Sequence, residues 1–340
     1  MVQNQEPLEL VLHNYNIKVA GIKNESYKEK KGVWWINTPV GNKILKKISN
    51  SEDTLKHILH AVGHLKKNGI LIPDIIKTTN NSDYVNINGT CYVLWDAVEG
   101  KNPSYSSPAE LQIIISSLAR FHKASEGFSP APGTKPKCHL GTWIEDYTEQ
   151  IEDMYGFYEK ESGSESNPIG KTVIREFPYF YERAKKAIEG LKGREYADWI
   201  DKAGRKGCLC HQDFAAGNLI MVQAGDLYII DTDSLTIDIP ARDIRKIINK
   251  IMKKQGKWDT ELIKRIISCY QSQNPLSHDE WQVVKLDLMF PHLFIGAMNK
   301  YYYKRDKEWS DDKYHKRLKE MAEFEKTSEP VLEAFESIKP

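Results

Sequence analysis

Four polar side chains near the middle of the chain have the types and spacing for phosphate and metal chemistry: His211, Asp213, Asn218 and Asp231. Two four-residue apolar runs, 219–222 and 227–230, lie either side of the turn sequence Gln-Ala-Gly-Asp and predict a β-hairpin. In an antiparallel hairpin the residue before the first strand and the residue after the second share one end, so Asn218 and Asp231 are brought side by side. One amide oxygen and one carboxylate, with water and phosphate oxygens completing the shell, suit Mg²⁺, which keeps few protein ligands. Asp213, five residues before Asn218, then stands on the entering loop where it can receive a proton from a hydroxyl group.

The pattern His-x-Asp-x-x-x-x-Asn followed by an aspartate after the next strand is that of a phosphotransferase catalytic loop and its metal-binding aspartate. The motif alone is weak, but its position before a hairpin ending in Ile-Ile-Asp-x-Asp makes it strong. The competing reading is that these are loop polars capping strand ends. A metal hydrolase built on His211, Asp213 and Asp231 is a further alternative, and it leaves Asn218 and Lys46 without a role.

The elements that must position these residues divide into two parts. Residues 1–95 read as a small β-rich lobe with one helix. Short β runs at 33–36 and 43–48 flank the turn Pro39-Val40-Gly41-Asn42. A helix follows, with Ser49 and Glu52 at capping-box spacing, an apolar stripe of Leu55, Ile58, Leu59, Val62 and Leu65, and Gly69 and Pro73 as stops. The run Cys91 to Trp95 is a buried strand, and 96–103 is a polar hinge. Residues 104–340 form a larger, mainly helical lobe carrying the catalytic loop 211–218 and the metal hairpin 219–233. Its helices include one capped by Ser107, Pro108 and Glu110, and an amphipathic one over 242–254. The stretches 129–141 and 161–170 read as loops, and breaks fall at Pro291 and Ser310. The fold class is α+β and bilobal.

With 340 residues, 48 basic and 47 acidic side chains and a net charge of +1, the chain has no global field to attract nucleic acid or an anionic membrane. Five cysteines without CxxC pairs point to a reducing compartment. The N-terminal sequence lacks the pattern of a signal peptide, and no apolar run is long enough to insert in a membrane, so synthesis and folding in the cytoplasm are expected.

These residues carry a resemblance. The chain is similar to the CotS-type spore coat proteins within the aminoglycoside phosphotransferase and choline kinase-like superfamily. The likeness spans nearly the whole sequence, including Gly41-Asn-Lys-Ile-Leu-Lys46, Leu118-Ala-Arg-Phe-His122, and Pro240 with Asp243. It implies a kinase-like fold, ATP and Mg²⁺ as cofactors, and an unidentified small-molecule or protein hydroxyl acceptor. It implies Asp213 and His211 as catalytic-loop residues and Asn218 and Asp231 as metal ligands. Lys46 is then the lysine on the α- and β-phosphates, and Trp95, Asp96 and Val98 belong to the hinge whose backbone reads adenine. Asp243 then caps its helix and orients the catalytic loop; a simple negative charge at the helix N-terminus is an equal reading. Location in the spore coat, with other coat proteins as partners, is also implied, and a catalytically silent coat scaffold is the alternative to an enzyme.

Two features depart from that pattern. No GxGxxG lies between the first strands, where residues 23–32 read instead as a polar loop, and the helix after Lys46 has its carboxylates, Glu52 and Asp53, only in the first turn. The Lys46 ion pair is therefore unassigned. Three weaker signals are expected to be structural. His57, His60 and His64 read as a solvated face, Cys208 and Cys210 as core, and the aromatics at 301–303, 309 and 314 as helix packing rather than a cage for a cation.

Overall fold

The computed structural model describes residues 6–28, 31–163, 167–305 and 308–338. The chain forms two compact units: Met1–Ser104 with Phe128–Lys137 and Phe214–Thr236, and Tyr105–Gly127 with Cys138–Asp213 and Ile237–Pro340. The chain thus passes from the second unit into the first directly after Asp213.

In the first unit a short helix α1 (Leu8–Leu12) precedes strands β1 (Gly21–Lys28), β2 (Lys31–Asn37) and β3 (Lys43–Ile48). Helix α2 (Glu52–Lys67), strands β4 (Val85–Ile87) and β5 (Thr90–Asp96), and the hairpin β6 (Leu219–Met221) and β7 (Leu227–Ile229) follow. Among the described residues β1 to β5 form one antiparallel sheet in the order β1-β2-β3-β5-β4.

Strand alternation sorts this sheet into two faces. Trp34 lies opposite Leu45, and Leu45 opposite Leu94; with Ile36 and Tyr92 they pack against Val11, Leu12 and Tyr15. The other face pairs Val33 with Lys46, Trp35 with Ile44, and Ile44 with Trp95. Glu6 fastens the N-terminal segment to the first face, accepting from Lys47 Nζ and Tyr92 OH at 2.5 Å each and from Tyr27 OH at 2.8 Å.

Several local expectations need correction. Residues 23–32 are not a loop: β1 occupies most of them and meets β2 through Lys28 opposite Lys31, with a register shift between Asn24 and Ser26. Its polar composition hid it, and polar side chains suit an edge strand, which must not template further pairing. Glu29 and Lys30 lie outside the described residues. The N-cap of α2 is Ser51, whose hydroxyl accepts from Thr54 N–H, and not Ser49. Glu52 consequently faces β4, accepting from Tyr84 OH and Asn86 Nδ2 at 2.6 Å each.

The histidine face of α2 is not uniformly solvated. His57 is fully buried, and His57, His60 and His64 each hold their rings 5.5 Å from the ring of Phe128. His60 is exposed and reaches Ser129 O at 3.0 Å. Phe128 lies just before the loop expected over 129–141, and no periodicity in the sequence marks it as a cover for this face.

The second unit is helical: α3 (Pro108–Ala124), α4 (Trp143–Ser162), α5 (Pro168–Leu191), α6 (Arg194–Lys206), α7 (Ala241–Gln255), α8 (Thr260–Gln273), α9 (His278–Met289), α10 (His292–Tyr302), α11 (Asp311–Lys326), and the short α12 (Glu329–Glu333) and α13 (Phe335–Ile338). Ser107 caps α3 with Pro108 at its start, and Ser310 caps α11. The loop expected over 161–170 is shorter, because α4 runs to Ser162 and Asn167 caps α5; residues 164–166 lie outside the described residues. Two buried aspartates tie the helices together. Asp238 accepts from Trp143 Nε1 and pairs with Arg242, while Asp287 accepts from Tyr147 OH, Arg245 and His292. Cys208 and Cys210 are buried, as expected for core thiols, and burial pushes Cys208 up to about 12. Among the described residues no helix is long and apolar enough to cross a membrane.

The burial of His57 gives a pH test. Both ring nitrogens lack a hydrogen-bond partner, and burial, reinforced by His60, lowers the pKa of His57 below the ordinary 6.5. The unfolded chain then binds a proton that the folded chain refuses, so this contribution to stability is complete above pH 6.5 and is lost as pH falls below it. Urea unfolding between pH 7.5 and 5 should show His57→Gln flattening that dependence. His57→Ala should cost about 1–3 kcal/mol and His60→Ala less than about 1 kcal/mol. Equal costs for the two would restore the solvated-face view.

Candidate active site

The second face of the sheet and the hairpin line one cavity of about 680 Å³ in the first unit. Its apolar lining includes Val33, Trp35, Ile44, Ile72, Ile220 and Ile230, and its polar lining includes Lys46, Asn218 and Asp231 as well as Asp96, Glu99 and Asn102. The hairpin forms as its sequence dictates: Leu219 opposes Ile229, and Ile230 N–H donates to Asn218 O at 3.0 Å. That register carries Asn218 and Asp231 to the same end. Asp231 takes a left-handed backbone conformation, with φ 60° and ψ 55°, which turns the chain out of β7 and into a single 3₁₀ turn at Thr232–Ser234. Such geometry is uncommon for a residue with a Cβ and is tolerated by aspartate.

Lys46 has its partner here. Its Nζ lies 3.0 Å from Asp231 Oδ1, joining the middle of the sheet to the hairpin. No carboxylate of α2 is used: Glu52 is engaged with Tyr84 and Asn86, and Asp53 lies 3.7 Å from Lys56.

The hinge candidates follow β5 along the cavity. Trp95 is buried, with an indole N–H that has no partner, and it lines the cavity wall. The Asp96 carboxylate accepts from Lys43 at 2.5 Å, directly across the strand pair, and its N–H donates to Asp74 O. Ala97 N–H donates to Asn42 O. Among the described residues Val98 N–H makes no backbone hydrogen bond, and Val98 lines the cavity. Beyond it the connector runs against β6: Lys101 and Met221 exchange N–H···O bonds at 3.1 and 2.8 Å, and Asn102 Nδ2 donates to Leu219 O at 2.8 Å. Gly100 permits this approach, since a Cβ there would lie 2.4 Å from Met221 O.

In the second unit the loop before Asp213 is held by Asp243. Its carboxylate accepts from His211 N–H at 2.6 Å and from Gln212 N–H at 2.8 Å, and from His122 Nε2 at 3.3 Å. His122 Nδ1 meets Tyr270 OH at 2.7 Å. Burial alone would raise the Asp243 pKa, but the His122 hydrogen bond and the charges and N–H groups around it hold it below the usual carboxylate range. Asp243 therefore orients the loop. The capping part of the expectation is not met: Asp243 lies in the first turn of α7, whose N-cap position, Pro240, makes no side-chain cap. The His211 ring is buried edge-on to Phe121, and its Nδ1 accepts from Asp213 N–H at 3.3 Å. Gln212 sits at φ 69°, and Lys246 donates to both its backbone and side-chain oxygens. Asp213 is half-exposed and ion-paired with Lys250.

Residues 9–335 match the family described as "Spore coat putative kinase YutH". The chain belongs to this family. Among the relatives of this spore coat family member, spore coat protein S of Bacillus subtilis (strain 168) is 28% identical over 323 residues, covering 95% of this chain and 92% of the relative. An aminoglycoside phosphotransferase from Alicyclobacillus acidocaldarius matches the structure with a TM-score of 0.82 at 15% identity, covering 99% of this chain and 98% of that one. The amicoumacin kinase hAmiN in complex with AMP-PNP and Ca²⁺ matches with a TM-score of 0.62 at 13% identity, over 95% and 93%. The α+β kinase-like fold expected from the sequence is thus the fold of the family member.

Sequence reasoning missed Asn102, the Lys46–Asp231 pair and Lys250. Asn102 carried no signal within a polar connector. Lys250 did, since Asp243, Lys246 and Lys250 recur at i, i+3 and i+7 on one helical face. The role of Asp243 is testable. Asp243→Asn leaves one acceptor for two N–H groups and should cost about 1–3 kcal/mol. It should also speed hydrogen exchange at the amides of His211 and Gln212 at least tenfold, whereas unchanged exchange would remove Asp243 as the anchor.

Proposed function

We propose that the chain is an ATP- and Mg²⁺-dependent phosphotransferase acting on a hydroxyl acceptor. The observation that carries this reading is the convergence of Lys46, Asn218 and Asp231 on one cavity that also has an aromatic and aliphatic wall. The donor set fits the metal: an amide oxygen and a carboxylate are hard ligands of the kind Mg²⁺ selects. The cavity fits the nucleotide, with an aromatic and aliphatic wall for the base and the Val98 N–H along the hinge. When bound, Mg²⁺ supplies positive charge that offsets the phosphates.

The chain's own residues would act as follows. Asn218 and Asp231 hold the metal. Lys46 exchanges its carboxylate partner for the α- and β-phosphate oxygens, and Trp95, Asp96 and Val98 supply the hinge that reads adenine. Asp213 accepts the hydroxyl proton while the acceptor oxygen takes the γ-phosphoryl group and ADP leaves. His211 keeps the loop packed beneath Asp213. That amicoumacin kinase carries AMP-PNP and Ca²⁺ on the same fold supports the nucleotide assignment.

A second reading, a catalytically silent scaffold of the spore coat, is favoured by one observation. Lys46 spends its charge on the aspartate assigned to the metal, with no acidic partner from α2. Under either reading we place the chain in the spore coat with other coat proteins as neighbours, on the strength of its family and of its relation to spore coat protein S. Resemblance to the coat protein CotI, a finer position within the family, belongs to this proposal.

Two measurements decide between the readings. ATP with Mg²⁺ should raise the melting temperature of the wild type, because ligand bound only to the native state stabilises it. Asp231→Ala should abolish the shift, and a wild-type curve unmoved by millimolar nucleotide ends the nucleotide assignment. In the second, phosphoryl transfer from ATP is followed in two variants. Asp213→Asn should lower kcat by about 10²- to 10⁴-fold with ATP affinity nearly unchanged, the usual loss for a positioned base. Asp231→Asn should weaken metal and nucleotide binding together. Transfer that is absent, or equal in wild type and Asp213→Asn, leaves the scaffold.

A further inference from the structure

Resting on the phosphotransferase reading, we propose that the acceptor is an anionic hydroxyl compound whose carboxylate or phosphate binds Lys250, displacing Asp213 from it. The observation is the Lys250–Asp213 ion pair itself. A carboxylate already neutralised by an ammonium group is a poor proton acceptor, so the pair describes a resting loop. A neutral or cationic acceptor offers Lys250 nothing in exchange. An anion does, and its arrival both seats the acceptor and restores the basicity of Asp213.

The surroundings in the second unit favour negative charge. Asp243, Lys246, Lys250 and Lys253 lie along one face of α7, spaced i, i+3, i+7 and i+10. Lys246 is fixed beneath the loop on the Gln212 oxygens at 2.8 and 2.7 Å. Lys253 has its pKa lowered by burial, then by Arg317 of α11 and by Lys250, so three cations crowd one another here. Three carboxylates of the second unit near these cations have partners of their own. Asp243 holds the loop, Glu325 is buried and accepts from Leu293 and Phe294 N–H at 3.0 Å each, and Glu320 lies 4.0 Å from Arg317. Crowded cations that face the half-exposed carboxylate of Asp213 form a site for an external anion.

The test uses the full chain and a matched three-carbon series: glycerol 3-phosphate, glycerate, glycerol and 1-amino-2-propanol. Calorimetry should show glycerol 3-phosphate or glycerate binding at least tenfold more tightly than the other two, with the stronger of these anions telling phosphate from carboxylate recognition. Lys250→Gln should weaken that binding at least tenfold and leave ATP·Mg²⁺ affinity unchanged. Asp213→Asn, which removes the internal competitor, should tighten anion binding even though it slows transfer. In the transfer assay the wild type should prefer the anionic acceptors and Lys250→Gln should lose the preference. No anion binding to wild type or Asp213→Asn, or binding indifferent to Lys250, overturns the proposal, as does preferred transfer to the amine. Loss of nucleotide binding would instead overturn the phosphotransferase reading, and the anion titrations do not depend on it.

Discussion

The candidate site of the first unit turns on one ion pair spanning two of its elements, Lys46 on β3 and Asp231 beyond β7. As a source of stability it is modest, because the aspartate side chain is 42% exposed and solvent screens such pairs. Its position is imposed by better-buried structure. Lys46 stands between Val33 and Val93 on neighbouring strands, and alternation forces it to the face opposite Leu45. Asp231 is aimed by a hairpin register and a left-handed turn. Two charges are therefore presented to each other by frameworks that owe nothing to their attraction, an arrangement suited to exchanging partners when a polyanion and a metal arrive.

The hairpin that sets Asn218 beside Asp231 was legible because two apolar runs flank an unambiguous turn, and so were α3, with its cap and stripe, and α7, with its stripe. The edge strand β1 was not, since its residues are polar and its evidence is a neighbour. The partner of Lys46 was sought on α2, the next helix in sequence, and lies in a segment brought back by the fold. His57 could not be told from His60 by spacing, because what buries it is Phe128, from a stretch that looks like loop. Periodicity reports which side of an element is apolar; it does not report what covers the other side.

The second unit makes a different commitment. Its loop backbone is held by a buried carboxylate, Asp243, itself held by His122, whose other ring nitrogen meets Tyr270 OH, so the peptide groups of His211 and Gln212 have little freedom. Removing charge from water is costly, and here three hydrogen bonds to one carboxylate offset it. Rigidity at 211 and 212 contrasts with the side chain of Asp213, half-exposed and ion-paired with the long flexible arm of Lys250. A stiff loop with one adjustable side chain separates the task of holding geometry from the task of changing charge.

The aromatic group at the end of α10 shows what a chain can do to a surface that looks receptive. Tyr301 and Tyr314 lie 5.5 Å apart, with Lys304 Nζ 4.1 Å from the Tyr301 centroid, while Lys300 and Lys313 approach Trp309 at 4.6 and 4.3 Å. These rings already hold ammonium groups from the same polypeptide. A tethered group acts at an effective concentration of order millimolar or more, whatever the dilution of the protein. A free quaternary amine would compete with a guest that never diffuses away, for a contact worth about 0.5–1 kcal/mol at an exposed site. The cluster behaves as a self-saturated receptor, and its lysines act as latches between helix ends.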